Sequence, residues 1–177
     1  YEIVGVIDGT HAGRDAGEVL DGTARGIPVF ATLDECMAQS NPKPEALIIG
    51  IATKGGYLPA AMKARLHEAI GLRLSVVSGL HDQLSNDPAL CEAAANSGVE
   101  LVDIRRPKTF DELHFWTGEI ADVTCPRVAV LGTDCAVGKR TTARRLVEAY
   151  REEGKRAEMI YTGQTGWMLG FKYGFIF

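Results

Sequence analysis

Short apolar runs alternate along the chain with segments of helical periodicity. Strands are predicted at residues 3–8, 46–51, 74–77, 100–103, 127–131, 157–161 and 173–177. Helices are predicted at about residues 33–39, 59–70, 88–97 and 139–153. The last helix carries an apolar stripe on one side and charged residues on the other, which is typical of a helix that packs on a sheet. This alternation predicts parallel sheets with crossover helices, an α/β fold.

The pattern breaks between Arg105 and Cys125, where Pro107 and Pro126 bracket a polar and aromatic segment. We place a domain boundary there. A Rossmann-like domain is predicted at residues 1–106, a linker at 107–126, and the start of a P-loop domain, incomplete in this chain, at 127–177. The chain begins inside an apolar run without Met and ends in Phe-Ile-Phe, so we expect both ends to be cut.

Composition narrows the class of protein. The chain has 177 residues, of which 46% are hydrophobic and 24% charged, and a formal charge of -4 without dense blocks of Lys or Arg. A globular protein that does not bind nucleic acid is expected. The four cysteines form no Cys-x-x-Cys pair, which indicates neither a metal site nor a disulfide framework and fits a reducing cytoplasm. No apolar run is long enough to span a membrane. We expect a cytoplasmic homo-oligomer that acts on a small molecule.

The most specific motif is Gly-Thr-Asp-Cys-Ala-Val-Gly-Lys-Arg-Thr-Thr at residues 132–142, between a predicted strand and a predicted helix. Backbone N–H groups of such a loop converge on an anion, and the helix adds the positive end of its dipole. Lys139 would reach the terminal phosphates. The motif predicts a site for the phosphates of a nucleotide or a nucleotide-containing cofactor, formed by Gly132, Thr133, Asp134, Ala136, Val137, Gly138, Lys139, Arg140, Thr141 and Thr142.

This loop departs from the usual P-loop at two points. Five residues instead of four separate Gly132 from Gly138, and the longer loop resembles that of dethiobiotin synthetase. Arg140 stands where a Ser or Thr usually binds Mg²⁺, which argues against ordinary Mg²⁺-nucleotide hydrolysis. Arg140 could supply charge to a phosphate in place of the metal. Alternatively, it points to solvent and Thr141 or Thr142 binds the metal.

Polar loops follow several of the predicted strands. Residues 8–15, 54–56 and 78–81 follow strands of the first domain, and we expect the three loops to cluster at one edge of the sheet. In the second domain Gln164 and Thr165 follow a strand and could bind the reacting group. A plain surface turn is the alternative for this last loop.

Three motifs in order carry a family resemblance: Val-Ile-Asp-Gly-Thr-His-Ala-Gly-Arg-Asp-Ala-Gly, the phosphate loop, and Thr-Gly-Gln-Thr-Gly-Trp. Together they resemble a two-domain family, long of unknown function, with a Rossmann-like N-terminal and a P-loop C-terminal domain. Its D-glutamate N-acetyltransferase members give it an activity. The resemblance implies transfer of the acetyl group of acetyl-CoA to the amino group of a D-amino acid, D-glutamate. The phosphate loop would then hold the ADP-like portion of CoA.

Acetyl transfer needs a base for the ammonium group and positive groups for the carboxylates of the substrate. The candidate bases are His11, Asp8 and His81, and the candidate carboxylate partners are Arg14, Lys54, Arg105 and Arg106. Each of these residues has a structural alternative, such as a hydrogen-bonding loop histidine or an arginine that ties down the linker. Two other functions stay open: a kinase or ligase that uses ATP and Mg²⁺, and a nucleotide-sensing module.

Overall fold

The computed structural model describes residues 1–51, 53–134 and 137–176, and the chain divides into two compact units, Tyr1–Asp103 and Ile104–Phe177. The strands are β1 (Val6–Ile7), β2 (Val29–Phe30), β3 (Ala46–Ile48), β4 (Ser75–Ser78), β5 (Leu101–Asp103), β6 (Ile160–Tyr161) and β7 (Tyr173–Gly174). The α-helices are α1 (Ala16–Asp21), α2 (Leu33–Gln39), α3 (Ala60–Gly71), α4 (Pro88–Ser97), α5 (Lys139–Glu152) and α6 (Gln164–Met168).

All strand pairs in these ladders are parallel, as predicted. In the first unit β1 pairs with β2, and β4 lies between β3 and β5. Helix α3 connects β3 to β4, and α4 connects β4 to β5, which gives the repeated βα units of a Rossmann-like domain. In the second unit β6 pairs with β7. None of the helices in the described residues is long and apolar enough to cross a membrane.

The main core of the first unit lies between the β3–β4–β5 sheet and the helices α3 and α4. Val76 of β4 and Leu90 of α4 are fully buried, and Leu66 and Ile70 of α3 are 1% exposed. Burial of a Leu or Ile side chain of this kind contributes about 1.5–3 kcal/mol. These contacts fix the carboxyl edge of the sheet, from which the candidate site loops extend.

Capping residues determine where two helices begin and end. Thr32 Oγ1 accepts a hydrogen bond from Glu35 N at 3.2 Å at the start of α2. Asp87 caps α4, Pro88 occupies its first turn, and Gly98 ends it with a φ of 67°. Because these signals are local, the predicted bounds of both helices agree with the structure.

The predicted strand at residues 127–131 is wrong. No ladder includes this segment in the part of the chain that is described, and Val128 and Leu131 are 68% and 86% exposed. A strand forms only where its backbone pairs with a neighbour, and β6 and β7 pair with each other. An apolar run therefore predicts a strand but does not show that a neighbouring strand is present to pair with it.

Three short elements were missing from the prediction. Helix α1 has six residues, β2 has two, and α6 has five in a segment that was expected to be a loop. Such lengths are too short to show a periodicity. The last predicted strand, at residues 173–177, is reduced to Tyr173–Gly174, and Phe177 lies outside the described residues.

Candidate functional site

The loop after β1 holds a paired carboxylate and imidazole. His11 Nδ1 lies 2.6 Å from Asp8 Oδ2, and Thr10 N donates to Asp8 Oδ1 at 2.9 Å. The side chains of Asp8 and His11 are 41% and 38% exposed, so a ligand could reach both. The hydrogen bond from His11, followed by that from Thr10, holds the pKa of Asp8 below its usual range. A carboxylate with a lowered pKa is a weak base, which favours Asp8 as the residue that orients His11.

Replacement of His11 by Ala is expected to raise the pKa of Asp8 towards its ordinary value of 3.8, because the largest cause of the lowering is removed. A lowered folded-state pKa stabilises the fold above the unfolded-state value, and this stabilisation is lost as the pH falls. The stability difference between wild type and variant should therefore shrink in acid. Carbon-13 NMR titration of the Asp8 carboxyl measures the shift. The pKa of Asp21, which is lowered by Arg25, should not move.

Asp15 fixes the backbone at the end of the same loop. Its carboxylate accepts hydrogen bonds from Gly17 N at 2.8 Å and from Arg25 N and Ile27 N at 2.9 Å. It thereby starts α1 and holds the segment that leads into β2. The described residues that donate hydrogen bonds to it all belong to this loop and its neighbour, which indicates a structural role.

Arg14, a predicted carboxylate partner, lies beside β2. Its carbonyl accepts from Val29 N at 2.9 Å, and its side chain is exposed. Glu35 and Gln39 share with it an open cleft of about 340 Å³. The negative charge of Glu35 would repel a substrate carboxylate in this cleft, although the guanidinium of Arg14 could offset that negative charge.

The loops after β3 and β4 are joined, as predicted from their positions at adjacent strand ends. His81 N donates to Gly56 O at 2.7 Å, and Leu58 N donates to Asp82 Oδ2 at 2.7 Å. Gly56 has a φ of +71°, and the His81 ring occupies the place that a Cβ of Gly56 would fill. The loop after β1, which was expected to cluster with these two, forms its backbone hydrogen bonds with β2 instead. Among the described residues no hydrogen bond links the Asp8–His11 pair to His81.

The other predicted carboxylate partners are divided between the two units. Lys54 lies in a single turn of 3₁₀ helix, and its side chain is outside the described part of the structure. Arg105 is half-buried and Arg106 is exposed, both at the start of the second unit. Hydrogen bonds from Thr109 lower the pKa of Glu112, and the charge of Arg106 lowers it further. Arg106 therefore interacts with a carboxylate of the linker.

The phosphate loop brings its lysine back across its own backbone. Lys139 Nζ donates to Asp134 O, and Gly138 precedes α5 with a φ of 90°. A Cβ on Gly132 would lie 3.0 Å from Lys139 Cγ and 2.8 Å from Val137 Cγ2. A side chain at position 132 would therefore force the stem of Lys139 or the side chain of Val137 to shift.

Most of the remaining predicted loop residues face solvent. Thr142 N donates to Gly138 O at 2.9 Å and so starts the helix. Arg140 has no ion pair within the described ranges. Ala136 lies outside the described residues, as does the neighbouring Cys135. The exposed members of the loop are Gly132, Thr133, Asp134, Val137, Gly138, Arg140, Thr141 and Thr142.

Gln164 and Thr165 belong to the short helix α6, directly after β6, and both are half-buried. The preceding Tyr161 is packed between two glycines, since a Cβ on Gly166 or on Gly174 would overlap it. The position of the two polar residues at a strand end agrees with the prediction, but the local structure is helical.

A second polar cleft was missed by sequence reasoning. It has a volume of about 440 Å³ and lies at the carboxyl edge of β3 and β4. Asp82 follows the predicted site residue His81 directly, so its place in the chain already indicated a position near this edge of the sheet. No sequence pattern indicated Lys63 as a site residue, because its position in a helix does not show that its side chain faces a loop about 20 residues later in the chain. The lining residues are Leu58, Lys63, Asp82, Gln83, Leu84, Asn86, Asp87, Pro88 and Leu90.

Comparison with known proteins finds matches to both units. Residues 9–107 match a domain of unknown function (DUF1611_N) described as Rossmann-like, and residues 114–177 match a domain of unknown function (DUF1611_C) described as a P-loop domain. The chain is 32% identical over 146 residues to a D-glutamate N-acetyltransferase of Pseudoalteromonas sp, covering 81% of this chain and 43% of that protein. It is 31% identical over 135 residues to one of Tritonibacter scottomollicae, covering 76% and 38%.

A solved structure is also similar. The crystal structure of a DUF1611 family protein from Anabaena variabilis is 34% identical in sequence and has a TM-score of 0.81, covering 94% of this chain and 47% of that one. The chain therefore spans less than half the length of the relatives that it matches.

Proposed function

Because the chain belongs to the DUF1611 family, with its Rossmann-like and P-loop domains, we propose that it forms part of an enzyme that transfers the acetyl group of acetyl-CoA to the amino group of D-glutamate. The observation that carries the proposal is the 32% identity to a D-glutamate N-acetyltransferase along 81% of this chain. That similarity supports an N-acetyltransferase; the acetyl donor and the acceptor in this protein are parts of the proposal.

In this proposal the phosphate loop holds CoA through its phosphates. Lys139 already reaches across the loop to Asp134 O, and the same ammonium would bind a phosphate oxygen once it leaves that carbonyl. The exposed guanidinium of Arg140 follows directly and could add a bidentate contact. A loop that binds phosphates without transferring them does not need the Mg²⁺ ligand that Arg140 replaces.

The first unit would supply the proton chemistry. The amine attacks the thioester carbonyl, a C–N bond forms, the C–S bond breaks, and the CoA thiolate takes up a proton. Before attack, a base must remove a proton from the substrate ammonium. His81 and the Asp8-oriented His11 are the candidates, since each has an imidazole on a loop at a strand end. Backbone N–H groups near either histidine could stabilise the oxyanion.

The test is an assay of thiol release. We expect the protein with acetyl-CoA and D-glutamate to release free CoA thiol, and to release none when the amino acid is omitted. Mg-ATP, incubated separately, should give no ADP. ADP release without thiol release would instead indicate a kinase or ligase, and nucleotide binding with neither product would indicate a sensing module.

A further inference from the structure

The polar cleft of about 440 Å³ lies where ligands bind in parallel sheets, outside the carboxyl ends of neighbouring strands. Its volume is within the range of small-molecule sites, which is about 300–1,000 Å³. One wall comes from the segment after β3 and the start of α3, and the other from the segment between β4 and α4. No part of the cleft belongs to the phosphate loop or to the Asp8–His11 pair.

Carboxylates hold the two walls in place. Asp82 Oδ2 accepts from Leu58 N at 2.7 Å and so ties the two walls together. Asp103, at the end of β5, accepts from Leu84 N at 2.7 Å and from Ser85 N at 2.9 Å. The cleft is thus formed by loops with fixed backbones, which favours a preformed site.

The charges within the cleft are only partly neutralised. Lys63 Nζ lies 2.8 Å from Asp87 Oδ2, and this hydrogen bond, with a smaller contribution from the charge of Asp82, raises the pKa of Lys63. Asp82 is half-buried, and its Oδ1 accepts no hydrogen bond and forms no ion pair within residues 1–51, 53–134 and 137–176. Lys63 is half exposed and has further N–H donors. The cleft therefore offers one carboxylate without a directly bonded cation and one ammonium with spare donors.

We propose that this cleft binds the zwitterionic end of the acceptor amino acid, with the substrate ammonium against Asp82 and the α-carboxylate against Lys63. The inference rests on the proposed function, because it locates the acceptor of that reaction. A zwitterion supplies a cation for Asp82 and an anion for the remaining donors of Lys63, whereas a simple anion would be repelled by Asp82 and a simple amine would leave those donors unused.

The position of His81 fits this assignment. His81 precedes Asp82 in the chain, and its backbone is held by Gly56 O. The His81 ring lies against Gly56 and is not among the groups that line the cleft, so it would have to turn towards Asp82 to take a proton from the bound ammonium. His81 is nevertheless the candidate base that lies nearest to Asp82 in the chain.

The test uses the isotope-labelled 177-residue chain and two probes, D-glutamate and (R)-2-hydroxyglutarate, which lacks the ammonium. We expect D-glutamate to shift the amide resonances of Leu58 and Leu84 saturably. The hydroxy acid should bind about ten- to a hundredfold more weakly, since it loses a charge-assisted hydrogen bond. This comparison needs no variant and so does not depend on whether a variant folds.

Two variants assign the contacts. Asp82→Asn keeps an oxygen that can accept from Leu58 N but removes the charge, so it should weaken the binding of D-glutamate and should not weaken that of the hydroxy acid. Lys63→Met keeps the stem and should weaken both probes. Asp34→Asn and Arg65→Met, on exposed positions outside the cleft, are the matched controls and should change neither affinity.

The inference is overturned if D-glutamate gives no saturable shift at Leu58 and Leu84, or if Asp82→Asn binds it as tightly as wild type does. Its failure is distinguishable from failure of the proposed function. If the Asp82 and Lys63 variants release thiol at the wild-type rate, the proposed enzyme is retained and this site is ruled out. Binding in the cleft without thiol release would retain an amino-acid site and remove the acetyl transfer.

Discussion

Replacement of Lys139 by Ala is expected to weaken acetyl-CoA binding by about ten- to a hundredfold, the loss expected for one charge-assisted hydrogen bond to a phosphate. The lysine is the cation that the loop can turn towards a bound anion, and at present it donates to Asp134 O. Without it, the exposed Arg140 and the backbone N–H groups would have to bind the phosphates. Isothermal titration calorimetry with acetyl-CoA measures the affinity.

The control for Lys139→Ala is Lys155→Ala. Lys155 pairs with Glu153 at 2.5 Å and lies over the ring of Tyr150, beyond the far end of α5. Its loss removes the same charge from the second unit but not from the loop. An unchanged affinity in Lys139→Ala, or an equal loss in both variants, would contradict the assignment of the loop as the CoA phosphate site.

The second large effect is expected in the core. Leu90→Ala should lower the free energy of unfolding by about 2–5 kcal/mol, because it leaves a cavity where Leu90 is fully buried. Leu90 also lines the polar cleft, so the wall that leads into α4 would lose support as well. Urea denaturation followed by circular dichroism measures the change.

Leu20→Ala is the matched control, since Leu20 is 79% exposed on α1. It should change the stability by no more than about 0.5 kcal/mol. Similar losses in the two variants would mean that the cluster around Leu66, Val76 and Leu90 does not dominate the stability of the first unit.

Local signals account for the parts of the fold that could be predicted. The cap at Thr32 and the Asp87, Pro88 and Gly98 signals of α4 are encoded within a few residues, so the bounds of both helices followed from the sequence. Pairing is not local. Residues 127–131 are apolar like a strand but have no ladder, and the two-residue β2 exists because it pairs with β1.

The same distinction applies to the candidate site. The contact between the Gly56 and His81 loops was expected, since parallel strands bring their carboxyl ends to one edge. The nearness of Lys63 to Asp87 and Asp82 depends on how α3 packs against the segment before α4, which no motif encodes. The back-folded Lys139 was likewise unpredictable, because the phosphate-loop motif describes the lysine as it binds an anion.

The double connection between the loops after β3 and β4 has a consequence for motion. His81 N is bonded to Gly56 O, and one residue later Asp82 is bonded to Leu58 N, so the two loops are linked at two adjacent points. Segments linked in this way cannot slide past each other without breaking both bonds, and they should fluctuate together as one body. A molecule that pulls on Asp82 would then displace the imidazole of His81 as well, so that occupancy of the cleft and the position of the ring change in a single movement.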